Sequence, residues 1–175
     1  MDFVHMHTAD ESVRHIFQGT SYTEEAQAFR GQIDYRPFIQ DMVMEPGLKE
    51  LLKWLKPRSG LAVATNRSNT IGDVLKVNGL SDFFDIVVSS LDVQRPKPHP
   101  EAIFKILAYF RISPKEAVYI GDSVVDYETA KAAGVCFVSY RNDDLEALFK
   151  AENMMDLEAI LKKMENPEYP IPGTN

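Results

Sequence analysis

One cysteine, Cys136, stands in 175 residues. That excludes an internal disulfide and fits a reducing compartment. No apolar run approaches the ~20 residues that cross a bilayer as a helix. The opening residues, Met1-Asp2-Phe3-Val4-His5, lack the basic start and apolar core of a signal peptide. The expected location is the cytoplasm. Positive charge is also short: 19 Lys and Arg against 26 Asp and Glu give a net charge of -7. An acidic chain is repelled by nucleic acid and by anionic membranes, so neither is expected as a partner. There is no internal repeat. What remains is ordinary for a globular chain, 45% hydrophobic and 26% charged. It can bury the core of one domain, or of one domain with a small appendage.

The apolar pattern divides the chain. Residues 9–45 read as helical, polar and loosely patterned. Pro46-Gly47 then punctuates. Leu48, Leu51, Leu52 and Leu55 follow at i, i+3, i+4 and i+7, an amphipathic helix that Pro57 stops. Four short apolar runs come next: "GLAVAT" (60–65), "DIVVSS" (85–90), "AVYIGD" (117–122) and "VCFVSY" (135–140). Helices separate them. Ser68 is the expected N-cap and Gly79 the stop of one, Pro100 starts another, and Gly134 ends a third. Leu157, Ile160, Leu161 and Met164 mark a last helix. The tail "NPEYPIPGTN" (166–175) is proline-rich and expected to be disordered. Runs that are apolar throughout, rather than alternating, predict a parallel sheet covered on both faces. Ligands of such sheets sit beyond the carboxyl ends of the strands. Thr65-Asn66, Ser89-Ser90 and Gly121-Asp122 fall in that place.

Those ends carry the chemistry. Asp122 ends its strand, and Gly121 lets backbone approach a ligand. Asp126 follows in the first turn of the next helix, where an acid also suits the helix dipole. The pair reads as a hard-cation site, or else as a turn acid and a helix-start acid. Oxygen ligands without nearby Cys or His point to Mg²⁺ rather than Zn²⁺. Thr65 and the N–H groups after it read as an anion holder or as ordinary caps. Arg67 adds charge there or is simply solvated. Lys97 lies in "RPKPHPE" (95–101), between prolines that stiffen the segment and present its ammonium rigidly. His5, His7 and His15 have no convincing metal spacing. His99 reads as a helix-start residue and Cys136 as an inert core thiol.

Together these segments resemble the haloacid dehalogenase-like (HAD) superfamily of Mg²⁺-dependent phosphatases, from about Met44 to Leu161. "AVATNRS" resembles the second motif, with Thr65 as the phosphate-binding hydroxyl beside Asn66. The stretch ending in "RPKPHPEAIFKIL" resembles the third, with Lys97 as its lysine. "VYIGDSVVDYETAKAAGV" resembles the fourth, with Asp122 as metal ligand and Asp126 as its supporting acid. "ATNRS" and "KPHPE" look most like the phosphoglycolate phosphatase subgroup. The resemblance implies a Rossmannoid α/β core over residues 46–165 and a partial helical cap over 1–45. It implies Mg²⁺, a small phosphorylated metabolite, and phosphoryl transfer through an aspartyl phosphate. A second aspartate two residues beyond the nucleophile acts as general acid and base. Thr65 and Lys97 would steady the phosphoryl oxygens.

The family's nucleophile motif, an apolar strand running into D-x-D-G-[TV], is missing. No aspartate in the chain has another two residues on. The nearest approaches are Asp126-Tyr127-Glu128 and Asp143-Asp144, and neither follows the required strand. In the family that strand is central, between those ending at Thr65 and Asp122. The expectation is therefore a sheet without its central first strand, an internal start at Met1, and a chain that is inactive alone. The alternatives are a non-catalytic HAD-like binding module and a receiver-like α/β signalling module. "RPKPHPE" fits the last poorly. Phosphoglycolate, other phosphomonoesters, nucleotides and pyrophosphate all stay open as substrates.

Overall fold

The computed structural model describes residues 7–165. The expectations for Met1–His5 and for the 166–175 tail lie outside the described residues. Two helices open the described chain, α1 (Ala9–Ile16) and α2 (Thr23–Arg30). Thr8 and Glu11 form a capping box at the start of α1. α1 and α2 are joined by the Arg30–Asp10 ion pair and by Gln27 Nε2 donating to Asp10 O at 2.9 Å. A 3₁₀ segment, Arg36–Asp41, leads to α3 (Leu48–Leu55). Five strands and four more helices follow: β1 (Ala62–Ala64), α4 (Ile71–Val77), β2 (Ile86–Val88), α5 (Glu101–Phe110), β3 (Val118–Gly121), α6 (Val124–Ala133), β4 (Cys136–Tyr140), β5 (Phe149–Ala151) and α7 (Met154–Met164).

All strand pairing among the described residues is parallel, as the continuous apolar runs predict. The strands form two sheets, β1-β2 and β3-β4-β5. Both are covered by the same helices. On α3, Leu52 packs into the cluster with Leu75, Leu80 and Val87, against β2. Its neighbour Leu51 packs with Val138, Ala151 and Val118 of the other sheet. Each leucine contributes about 1.5–3 kcal/mol of burial, so α3 is tied to both halves. α5 also touches β1 and β2. Its Ile103 and Leu107 also pack with Ala133, Val135 and Tyr119. The two sheets are thus halves of one layer.

A break separates them. Asp85 N–H donates to Leu61 O, and Thr65 N–H to Val88 O, so these residues face β2. Strand alternation turns Ala62 and Ala64 the other way. Tyr119 Oη of β3 lies 3.4 Å from Ala64 O, so that edge faces β3. No ladder joins β1 to β3 among the described residues. The break falls where the sequence reading leaves out a central strand.

Two local expectations need correction. Ser68 is not the N-cap of α4. Thr70 holds that place without a side-chain cap bond, while Ser68 Oγ bonds Asn69 Oδ1. The turn closed by Arg67 N–H on Thr65 Oγ1, and the Arg67 guanidinium on Thr70 Oγ1, keep 65–70 out of helix. β5 was not among the four apolar runs. Phe-Lys-Ala carries an exposed lysine at its centre and does not read as an apolar run, so pairing with β4 defines it.

Candidate active site

The carboxyl ends of β1 and β3 open onto one cavity, which α1 and α2 also line. Thr65, Asn66, Arg67, Lys97, Asp122 and Asp126 all border it. The structure therefore brings the sequence-predicted residues together, although they run from Thr65 to Asp126 along the chain.

Asp126 and Lys97 form the buried centre. Lys97 Nζ lies 2.6 Å from Asp126 Oδ1, with side chains only 11% and 8% exposed. Tyr119 Oη accepts from the same ammonium at 3.2 Å and donates to Asp126 Oδ1 at 2.8 Å. On the other carboxylate oxygen, Ser123 Oγ donates at 2.6 Å and Ser123 N–H at 3.3 Å. Asp126 N–H returns a bond to Ser123 Oγ, completing a capping box that starts α6. Burial pushes the Asp126 carboxyl up. The Lys97 charge outweighs it, together with hydrogen bonds from Lys97, Ser123 and Tyr119, and holds it below the usual carboxylate range. Burial first, then the Asp126 charge, pushes the Tyr119 phenol far up, so it stays neutral.

Asp126 is thus both a helix-start acid and the partner of Lys97. Its two oxygens receive four donors. Asp122 is different. Its carbonyl accepts from Asn142 Nδ2 at 2.7 Å, but its exposed carboxylate receives no hydrogen bond from the described residues. Among the described residues no three His, Cys, Asp or Glu cluster as a metal site. A Mg²⁺ ion commonly takes one or two carboxylates plus phosphate oxygens and water, so the oxygen donor set fits it with Asp122 as the available carboxylate.

Thr65 Oγ1 accepts from Arg67 N–H at 3.1 Å, which leaves the hydroxyl proton to donate elsewhere. The Asn66 amide, at the cavity border, reaches the Lys97 backbone. Its Oδ1 accepts from Lys97 N–H, and its Nδ2 donates to Lys97 O, both at 3.0 Å. Arg67 lies exposed at the cavity border. His99 Nδ1 accepts from Glu101 N–H at 3.2 Å, the helix-start role expected of it. Cys136 is half-buried, and burial pushes its thiol up.

Sequence reasoning missed Tyr119 and Ser123. Ser123 carries a findable signal, a hydroxyl three residues before an acid at a helix start. Tyr119 carries none, because a tyrosine in an apolar strand reads as core. Gly121 is explained by close approach. A Cβ there would lie 2.4 Å from Asp126 Cβ and 2.7 Å from its Cγ. Gly121→Ala is expected to cost about 1–3 kcal/mol and to push Asp126 off Lys97. Urea unfolding at neutral pH measures it, and an unchanged midpoint would contradict the contact.

A parallel α/β layer with polar residues gathered beyond its strand ends defines a Rossmannoid ligand-binding fold. The chain belongs to the haloacid dehalogenase-like hydrolase family, whose model matches residues 5–140. It is 36% identical over 90 residues to a phosphoglycolate phosphatase of Nitrosococcus oceani, covering 50% of this chain and 40% of that protein. It is 37% identical over 107 residues to a pyrophosphatase of Bacillus pumilus, covering 57% and 50%. The chain spans about half the length of the curated relatives it matches. A HAD-superfamily hydrolase of Geobacter sulfurreducens superposes with a TM-score of 0.75 at 41% identity, over 91% of this chain and 76% of that one. A β-phosphoglucomutase of Clostridium difficile, at 20% identity, shares the fold with a TM-score of 0.77 over 92% and 78%. Among the described residues no helix is long and apolar enough to cross a membrane.

Proposed function

We propose that the chain carries the phosphate- and metal-holding part of a phosphomonoester hydrolase site. The observation that carries this reading is the convergence of Thr65, Lys97 and Asp122 on one cavity. The Lys97 ammonium gives two donors to Asp126 and Tyr119. The third is left to meet a phosphoryl oxygen, and the Thr65 hydroxyl meets another. Asp122 would hold Mg²⁺, which when bound neutralises phosphate charge and screens it from an attacking carboxylate. Asp126 serves by holding Lys97, so its part in metal binding is indirect. The α1–α2 region serves as the part of a cap that bounds the substrate.

The substrate is a small phosphorylated metabolite. Phosphoglycolate and pyrophosphate are the candidates that the relatives' names bring, and both are compact anions. No nucleophile carboxylate of the family's kind is present in the 175 residues, so the chain alone holds phosphate without cleaving esters. That same lack favours the second reading, a non-catalytic module that binds Mg²⁺ and phosphate. Both readings predict phosphate binding, and turnover separates them. With Mg²⁺ present, inorganic phosphate is expected to broaden and shift in ³¹P NMR on titration with the chain. Thr65→Val weakens this roughly 10-fold, and Asp122→Asn removes the Mg²⁺ dependence. Phosphate that binds equally to all three proteins would sink the assignment.

A further inference from the structure

We infer that Asn66 is a positioning residue: its amide fastens the Lys97 loop to the end of β1 and so fixes where the ammonium meets phosphate. One planar amide reads both polar backbone groups of a single residue 31 positions away. Oδ1 takes the Lys97 N–H and Nδ2 gives to the Lys97 carbonyl, each at 3.0 Å. A neighbouring strand would engage that backbone in the same way, yet Lys97 belongs to no strand. The other end of the side chain is fixed by Asp126 and Tyr119. Lys97 is therefore held at its backbone and at its charge, which leaves its long stem little freedom. Thr65, which precedes Asn66, is set in register with the ammonium through the same amide. A site that holds an anion by position depends on such support behind the groups in contact with it.

The inference rests on the phosphate-binding reading above, and the two can fail separately. The chain, Asn66→Ala and Asn66→Asp are compared by ³¹P titration with inorganic phosphate and Mg²⁺, and by amide exchange at Lys97. In Asn66→Ala, Lys97 exchange is expected to quicken at least about 10-fold, and phosphate affinity to fall roughly 10-fold. Mg²⁺ affinity without phosphate stays the same. Asn66→Asp keeps an acceptor for the Lys97 N–H but sets an oxygen against its carbonyl. It retains part of the exchange protection and still loses phosphate affinity, which keeps the test open if the alanine variant does not fold. Lost affinity with unchanged Lys97 exchange overturns the inference, since Asn66 would then act on the anion itself. Faster exchange with unchanged affinity overturns it as well. Absence of phosphate binding by the unsubstituted chain defeats the functional reading, and the inference with it.

Discussion

Lys97→Ala is expected to destabilise the fold by about 3–5 kcal/mol at neutral pH. The Asp126 carboxylate is buried, and removing its cation leaves a charge supported, among the described residues, by Ser123 and Tyr119. Against a typical stability of about 5–15 kcal/mol this is a large loss. It corresponds to a fall in melting temperature of about 10 °C for a chain of this size. The loss depends on pH in a defined direction. In the unsubstituted protein Asp126 titrates below its unfolded value. Its contribution is present above about pH 4 and is lost as pH falls through the lower folded value. Without Lys97, burial dominates and the carboxyl titrates high. The variant then loses stability as pH rises, so the gap between the two proteins widens from pH 4 to pH 7. Lys97→Met combined with Asp126→Asn removes both charges and recovers part of the stability. Urea unfolding across that pH range measures all of this. A pH-independent difference below about 1 kcal/mol would show that the pair is not the buried centre described.

Much of this was legible in the sequence, for identifiable reasons. The leucines at 48, 51, 52 and 55 announce α3 by their period, and the structure shows why two adjacent ones are needed. Leu51 serves one sheet and Leu52 the other. Continuous apolar runs announced parallel strands, and residues at the ends of the first three, Thr65, Ser90 and Asp122, border the cavity. The pattern did not say how those residues divide the work. Asp122 and Asp126 look equivalent as two acids four apart, but only three-dimensional placement commits Asp126 to Lys97. Asn66 reads as a phosphate contact because it follows Thr65, and nothing in the pattern shows that its amide also bonds a backbone 31 residues on. Ser68 failed as a cap because the Arg67 contacts with Thr65 and Thr70 override a local preference. β5 was invisible because Lys150 interrupts its apolar run.

The second large effect concerns turnover. The 175-residue chain is expected to show no Mg²⁺-dependent hydrolysis of p-nitrophenyl phosphate above background. Groups that hold phosphate stabilise charge, but ester cleavage by the family's route needs a carboxylate at the phosphorus. No aspartate in this sequence has a second aspartate two residues on, the pattern of the family's nucleophile. Among the described residues β1 and β3 pair only on their far sides, so each turns an unpaired edge toward the break. An apolar strand ending in D-x-D, fused ahead of Met1, places its acids between Thr65 and Asp122. Losing the nucleophile of an enzyme typically costs about 10⁴–10⁶-fold in rate, so completion should be visible by that margin. The decisive measurement is therefore the hydrolysis rate of the chain and of the fusion, each with and without Asp122→Asn. Turnover is expected in the unsubstituted fusion only. Clear turnover by the unfused chain that vanishes in Asp122→Asn would contradict it, because the nucleophile would then lie within these 175 residues.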